Sequence, residues 1–133
     1  MPRPSLAELE AEKLARVDRL RDAIAALEAE RERLLSTGVV APFGAWVARY
    51  QVRQPHKTYW YYKLQTPDPN FRCSTQKQKL SKYLHLGKAG SQAHIEAVMS
   101  VGRRTMLNEL TKMIENLKQN LLDVGFDGES DEP

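Results

Sequence analysis

From Ser5 to Thr37 neither glycine nor proline interrupts the chain, and that continuity commits the segment to one long helix. Ser5 followed by Glu8 forms a capping-box pattern at its start, and Thr37-Gly38 supplies the stop. Val17, Leu20, Ile24, Leu27 and Leu34 recur on alternating three- and four-residue steps, with Arg31 at the same seam, which is a coiled-coil-like stripe. Ahead of it Glu10 and Lys13 occupy the seam while Leu6, Leu9 and Leu14 lie around it, so the first three turns are expected to fray. A second helix is expected after Gly90, capped by Ser91, reaching residue 124 and ended by Gly125. Its stripe is Met99, Met106, Leu110, Met113, Leu117 and Val124, with Arg103 and Asn120 filling the seam and Ile95, Val98, Leu107, Ile114 and Leu121 widening it. An antiparallel pairing of the two stripes is the simplest way to cover them, with Arg103 within reach of the first helix; a homodimer through the same stripes is the rival arrangement.

Between the helices, Trp46 to Gln54 and Lys57 to Gln65 have strand character and flank Pro55-His56, which predicts a β-hairpin. After a loop marked by Thr66-Pro67-Asp68-Pro69-Asn70, a third strand is expected over 79–86, ending at Gly87. The fold class read from this order is α+β: a long N-terminal helix, a three-stranded antiparallel β meander, and a long C-terminal helix, the helices forming an antiparallel coiled-coil-like stalk. One domain is expected over 1–124, with a helix at 5–36, a basic β head at 44–87 and a helix at 91–124. The acidic, nearly apolar-free residues 125–133 are expected to be disordered.

Charge sharpens this division. The formal net charge is +3, yet residues 38–91 carry nine basic side chains against the single acid Asp68, and residues 121–133 carry five acids and no base. A field concentrated in this way suits a surface that meets a polyanion. Strand alternation divides the head into two faces. One set, Trp46, Ala48, Tyr50, Val52, Trp60, Tyr62, Leu64, Leu80, Lys82, Leu84 and Leu86, reads as the apolar face, covered by Ile95, Val98 and Met99 of the second helix. The other, with Arg49, Gln51, Arg53, Tyr59, Tyr61, Lys63, Gln65, Lys79, Tyr83 and His85, reads as basic, amide-rich and aromatic. On it, Arg and Lys suit phosphates, amides suit base edges, and tyrosines suit unpaired bases. The nucleic-acid-binding set expected from the sequence is Arg49, Gln51, Arg53, Lys57, Tyr59, Tyr61, Lys63, Lys79, Lys82, Tyr83, His85 and Lys88. Duplex DNA is the favoured partner, with RNA or a single strand left open.

Over residues 44–104 the succession of strand, turn, aromatic-rich strand, loop, strand ending in Leu-Gly and helix resembles the DNA-binding domains at the amino termini of tyrosine integrases and in AP2 proteins. The resemblance is carried by Trp46 to Arg53, by Lys57-Thr58-Tyr59-Trp60-Tyr61-Tyr62 and by Tyr83-Leu84-His85-Leu86-Gly87. It implies that the sheet reads a DNA groove through Arg49, Gln51, Arg53, Tyr61 and Lys63. The long helical stalk departs from that pattern, and no integrase catalytic segment follows. The relative it suggests is an accessory or regulatory protein of a mobile element or phage.

Other chemistries are poorly served. His56, His85 and His94 have neither metal-ligand spacing nor a nearby carboxylate or cysteine set, and the lone Cys73 reads as a bystander in a loop. No nucleophile elbow or phosphate-cradling glycine loop occurs, so neither catalysis nor a cofactor is expected. The amino terminus leads straight into charged helix and no apolar run is long enough to span a bilayer, so a cytoplasmic protein without membrane contact is expected. The alternative function is a coiled-coil adaptor or inhibitor that binds a protein partner through the stalk, with Met99, Met106 and Met113 as an adaptable surface.

Overall fold

The computed structural model describes residues 2–72 and 79–127. The element order is α1 (Leu6–Thr37), β1 (Trp46–Gln54), β2 (Lys57–Gln65), β3 (Phe71–Arg72), β4 (Leu80–Ser81), β5 (Tyr83–Gly87) and α2 (Gln92–Phe126). The expected α+β class holds, with two long helices and a three-stranded antiparallel sheet of order β1-β2-β5. Cα packing divides the chain into two compact units, one made of α1 through Ser36 with α2 from Leu107 onward, the other running Thr37–Met106. Cys73, Lys77 and the acidic residues from Glu129 on lie outside the described residues. Among the described residues no helix is long and apolar enough to cross a membrane.

In the helical unit the capping box closes reciprocally, the Ser5 amide donating to Glu8 Oε2 and the Glu8 amide to Ser5 Oγ, each at 3.1 Å. Two otherwise orphaned donors are satisfied there. The structure is helical from Leu6, so the expected fraying of the first turns is not seen. The helices pack antiparallel: Leu20 of α1 lies beside Val124 of α2, and Arg16 pairs with Asp127 at 2.6 Å while Lys13 donates to the Asp127 carbonyl. The Arg16 guanidinium is held above its ordinary pKa chiefly by the Asp127 hydrogen bond, with Glu12 adding to it.

On α1 the buried side chains are Ile24 and Leu34, with Val17, Leu20 and Leu27 half-buried, as the stripe predicts. On α2 the seam is rotated. Leu107, Ile114 and Val124 are buried and Leu110, Leu117 and Leu121 half-buried, whereas Met106 and Met113 are 56% and 48% exposed. The observed seam, Leu107, Leu110, Ile114, Leu117, Leu121 and Val124, joins Leu110, Leu117 and Val124 of the expected stripe to three residues read as widening it; it too runs in three- and four-residue steps, and its branched side chains fill the interface without the entropic cost of ordering methionines. The helix also continues through Gly125 to Phe126 rather than ending at the glycine.

In the second unit β1 and β2 form a hairpin whose last pair is Gln54↔Lys57, leaving Pro55 and His56 as a two-residue loop. Register is thereby fixed, since a two-residue loop allows only one pairing. β5 pairs with the other edge of β2, with an irregularity between Tyr62 and Lys63. The expected third strand is in fact two pieces. Leu80 and Ser81 turn away to pair with Phe71 and Arg72, and Lys82 separates them from β5. The Lys82 carbonyl accepts from the buried Thr66 amide, so the break is itself hydrogen-bonded. Gly87 closes β5 at φ 86°, a conformation that costs a side chain little only when there is none. Ser91 caps α2, accepting from the His94 amide at 3.2 Å while its hydroxyl donates to the Leu86 carbonyl at 2.7 Å.

The core of this unit is Leu64, Leu86 and Ala97, with Ala45, Val47, Tyr62, Phe71 and Val101 packed around it. Ala97 and Val101, with the His94 ring centre 4.2 Å from that of Tyr62, cover the sheet in place of Ile95, Val98 and Met99, which remain about half exposed. Arg103 does not join a seam. Its guanidinium lies over Gly38 and donates to the Val39 carbonyl at 3.1 Å, and Arg104 donates to the Ala41 carbonyl at 2.7 Å while stacking on Phe43. Together with the bond from the Ala41 amide to the Ser100 carbonyl, they bind segment 38–43 to α2.

Candidate nucleic-acid interface

Directly opposed residues of antiparallel strands share a face. Val47 is opposite Leu64, Arg49 opposite Tyr62, Gln51 opposite Trp60 and Arg53 opposite Thr58. All of these therefore stand on the helix-covered side of the sheet, and the expected split of β1 is reversed. Val47 is inside, near Leu64 and Leu86. Arg49, Gln51 and Arg53 are exposed because they lie further along the strand from the core residue Val47, and the Arg49 guanidinium stacks on Trp60 at 3.9 Å from the ring centre.

The opposite face is built in cross-strand rows. Trp46, Gln65 and Tyr83 form the first, and Ala48, Lys63 and His85 the second. Tyr50 with Tyr61, Val52 with Tyr59, and Gln54 with Lys57 follow toward the hairpin end. Trp46 is 45% and Tyr83 43% exposed; Tyr50, Tyr59 and Tyr61 are half-buried. No acidic residue occupies any of these positions.

Contacts within the rows are specific. Tyr50 and Tyr61 stack with centroids 6.0 Å apart, and the Tyr50 hydroxyl lies 3.0 Å from His85 Nδ1. Lys63 projects from the centre, its ammonium 4.4 Å from the Tyr83 ring centre and 5.4 Å from that of Tyr50. Lys88, just beyond β5, places its ammonium 4.5 Å from the Tyr59 ring centre. Cations thus rest on ring faces, a weak attraction that an anionic ligand can displace.

Of the residues expected to form the site, Lys57, Tyr59, Tyr61, Lys63, Tyr83 and His85 lie on this face, and Lys88 reaches it. Arg49, Gln51 and Arg53 do not. Lys79 and Lys82 are exposed but outside the three-stranded sheet. Trp46 and Tyr50, assigned to the core by alternation alone, belong to the open face. The two-residue turn was the signal that could have found them. Among the described residues, no cluster of His, Cys, Asp or Glu could hold a metal ion. On the helix side an apolar groove of about 570 Å³ runs between segment 38–42, β5 and the start of α2, with Leu84, Ile95 and Met99 in its wall.

Compared with known proteins, the chain matches no family model, no curated protein and no solved structure.

Proposed function

We propose that this chain is a non-enzymatic nucleic-acid-binding module, an accessory or regulatory protein that holds a polyanionic strand on the open face of its three-stranded sheet. The observation that carries the reading is the lattice of Trp46, Tyr50, Tyr59, Tyr61 and Tyr83 interleaved with Lys57, Lys63, His85 and Lys88, with no acid among them. Aromatic faces and flexible ammonium groups in alternation suit bases and phosphates. The resemblance to integrase and AP2 domains supports the use of a sheet, but of the five contacts it implies only Tyr61 and Lys63 have the position that this reading requires.

The test is a salt-dependent anisotropy titration of the full chain with labelled nucleic acid. Replacing Lys57, Lys63 and Lys88 together by Gln should lower the slope of log K against log salt by roughly 2 to 3, at about 0.7 to 0.9 per lost phosphate contact. The Arg49→Gln, Arg53→Gln double variant should change it by less. A folded triple-lysine variant with wild-type affinity and slope would refute the reading.

A second reading, a helical adaptor or inhibitor of a protein partner, is favoured by the apolar side chains that the helical unit leaves in solvent. Leu9, Leu14, Leu35, Met113 and Leu122 are each about half exposed. It predicts association with a protein that survives the triple-lysine change and is lost on replacing Leu14 and Met113 by Lys.

A further inference from the structure

We infer that the open face takes unpaired nucleotides, of RNA or single-stranded DNA, in preference to a duplex; this rests on the nucleic-acid reading above and names its substrate class.

Groove reading of a duplex needs forked donors and amides that reach base edges, chiefly Arg, Asn and Gln. The structure puts Arg49, Gln51 and Arg53 on the helix side, opposite Tyr62, Trp60 and Thr58. The open face carries no arginine; beside the lysines and the two amides Gln54 and Gln65, what it presents are rings. In a duplex both faces of each base are occupied by its stacked neighbours, so tyrosines standing on a sheet find no partner there. An unpaired base offers its whole face, and base–aromatic stacking is the dominant contact in single-strand recognition.

Spacing accommodates an extended strand. Same-face residues of a strand recur about every 6.8 Å, twice the rise of roughly 3.4 Å per residue. Bases stacked in a duplex follow one another at about 3.4 Å. Alternate duplex bases match successive rows in spacing but have both faces already stacked, whereas an extended strand can set one base with a free face on each row. The rows Trp46-Gln65-Tyr83, Tyr50-Tyr61 and Val52-Tyr59 each contain at least one ring.

The lysines complete each unit. Lys63 rests on Tyr83 and Lys88 on Tyr59. A base that stacks on either ring displaces the ammonium from it, and the four-carbon stem lets the charge swing to the adjacent phosphate without moving the backbone. Gln65, between Trp46 and Tyr83, meets the edge of a base held on either ring. Because all of these pairings lack shape selection for one base, the preference is for strandedness rather than sequence.

The experiment compares the full chain's affinity for oligothymidine, oligouridine and a mixed-sequence duplex, each about 12 nucleotides or base pairs long, within the site sizes of stacking proteins. Both single strands should bind at least ten-fold tighter than the duplex. Tyr83→Ala and Tyr59→Ala should each weaken single-strand binding by roughly five-fold or more, the lower end of what one stacked base contributes. Tyr83→Phe, which keeps the ring, should bind as wild type, and circular dichroism should report an unchanged fold for all three. Duplex binding equal to or tighter than single-strand binding overturns this inference but leaves the broader reading standing. Unchanged single-strand binding by both alanine variants does the same. Absence of binding to all three probes at low salt overturns both.

Discussion

Adjacent residues of β1 test which side of the sheet is open. Val47 packs at the Leu64, Leu86, Ala97 core, and Ala48 lies opposite Lys63 on the other face. Aspartate at either position carries the same poor strand propensity, on a scale of about 1 kcal/mol, so that cost cancels in the comparison. Val47→Asp gives up the burial of a half-covered valine, roughly 1 kcal/mol, and sets a carboxylate against apolar side chains, roughly 1 to 3 kcal/mol more. Ala48→Asp loses almost no apolar contact and gains an opposed ammonium across the strands, worth about 0.2 to 1 kcal/mol. Val47→Asp should therefore be less stable than Ala48→Asp by about 2 to 5 kcal/mol. Both tryptophans, Trp46 and Trp60, lie in this sheet, so their fluorescence during urea unfolding reports on it alone. With a slope of roughly 1 to 3 kcal/mol per molar urea, the midpoints should separate by at least about 0.7 M. Nucleic-acid affinity should order the other way, falling in Ala48→Asp because an acid then sits beside Lys63. Equal midpoints, or a less stable Ala48→Asp, would mean that Val47 does not share a face with Leu64, and the assignment of the binding face would fall with that register.

Within the helical unit, Ile114→Ala should destabilise by about 2 to 4 kcal/mol and Met113→Ala by less than about 1, since Ile114 is 2% exposed and Met113 is 48%; thermal unfolding followed by circular dichroism decides which residue faces α1. A Cβ on Gly38 would lie 2.5 Å from the Arg103 Cζ, so Gly38→Ala should displace the guanidinium from the Val39 carbonyl and cost about 1 kcal/mol. In an Arg103→Ala background the same change should cost nothing, and a double-mutant cycle without coupling would contradict the contact. The Glu30 carboxyl is held below its ordinary value, first by its hydrogen bonds from Arg33. The stability it contributes is present above the unfolded glutamate pKa and lost as pH falls through the lowered folded value. A carbon-detected titration should show its midpoint below those of unpaired glutamates, returning to the ordinary range in Arg33→Ala.

Much of the fold is written in short-range signals, and these are the parts that reading the chain residue by residue recovers. The Ser5/Glu8 box, the Ser91 cap, the α1 stripe through Ile24 and Leu34, and the hairpin around Pro55-His56 each depend on residues within a turn or two of one another. Even the orientation of β1 was present in the sequence. A two-residue loop puts odd-numbered β1 positions opposite even-numbered β2 positions, so Val47 must share a face with Leu64. Apolar alternation misled because both faces of β1 carry apolar side chains, Val47 on one and Trp46, Ala48, Tyr50 and Val52 on the other.

Three features were decided only by tertiary structure. α2 offers two overlapping three-four stripes, one through Met106 and Met113 and one through Leu107 and Ile114, which differ by a rotation of one residue about the axis. Only packing against α1, with its branched and leucine side chains, selects the second. The pairing of Phe71 and Arg72 with Ser81 and Leu80 joins short segments with no pattern of their own, so no local rule could place it. Arg103, placed by spacing in the seam, and its neighbour Arg104 instead satisfy the Val39 and Ala41 carbonyls of a segment more than sixty residues away. Local propensity states which backbone a residue favours and which neighbours lie a turn away. Which of two apolar faces is buried, and which distant carbonyl an arginine finds, follow from free energies of contact that exist only once the elements have met.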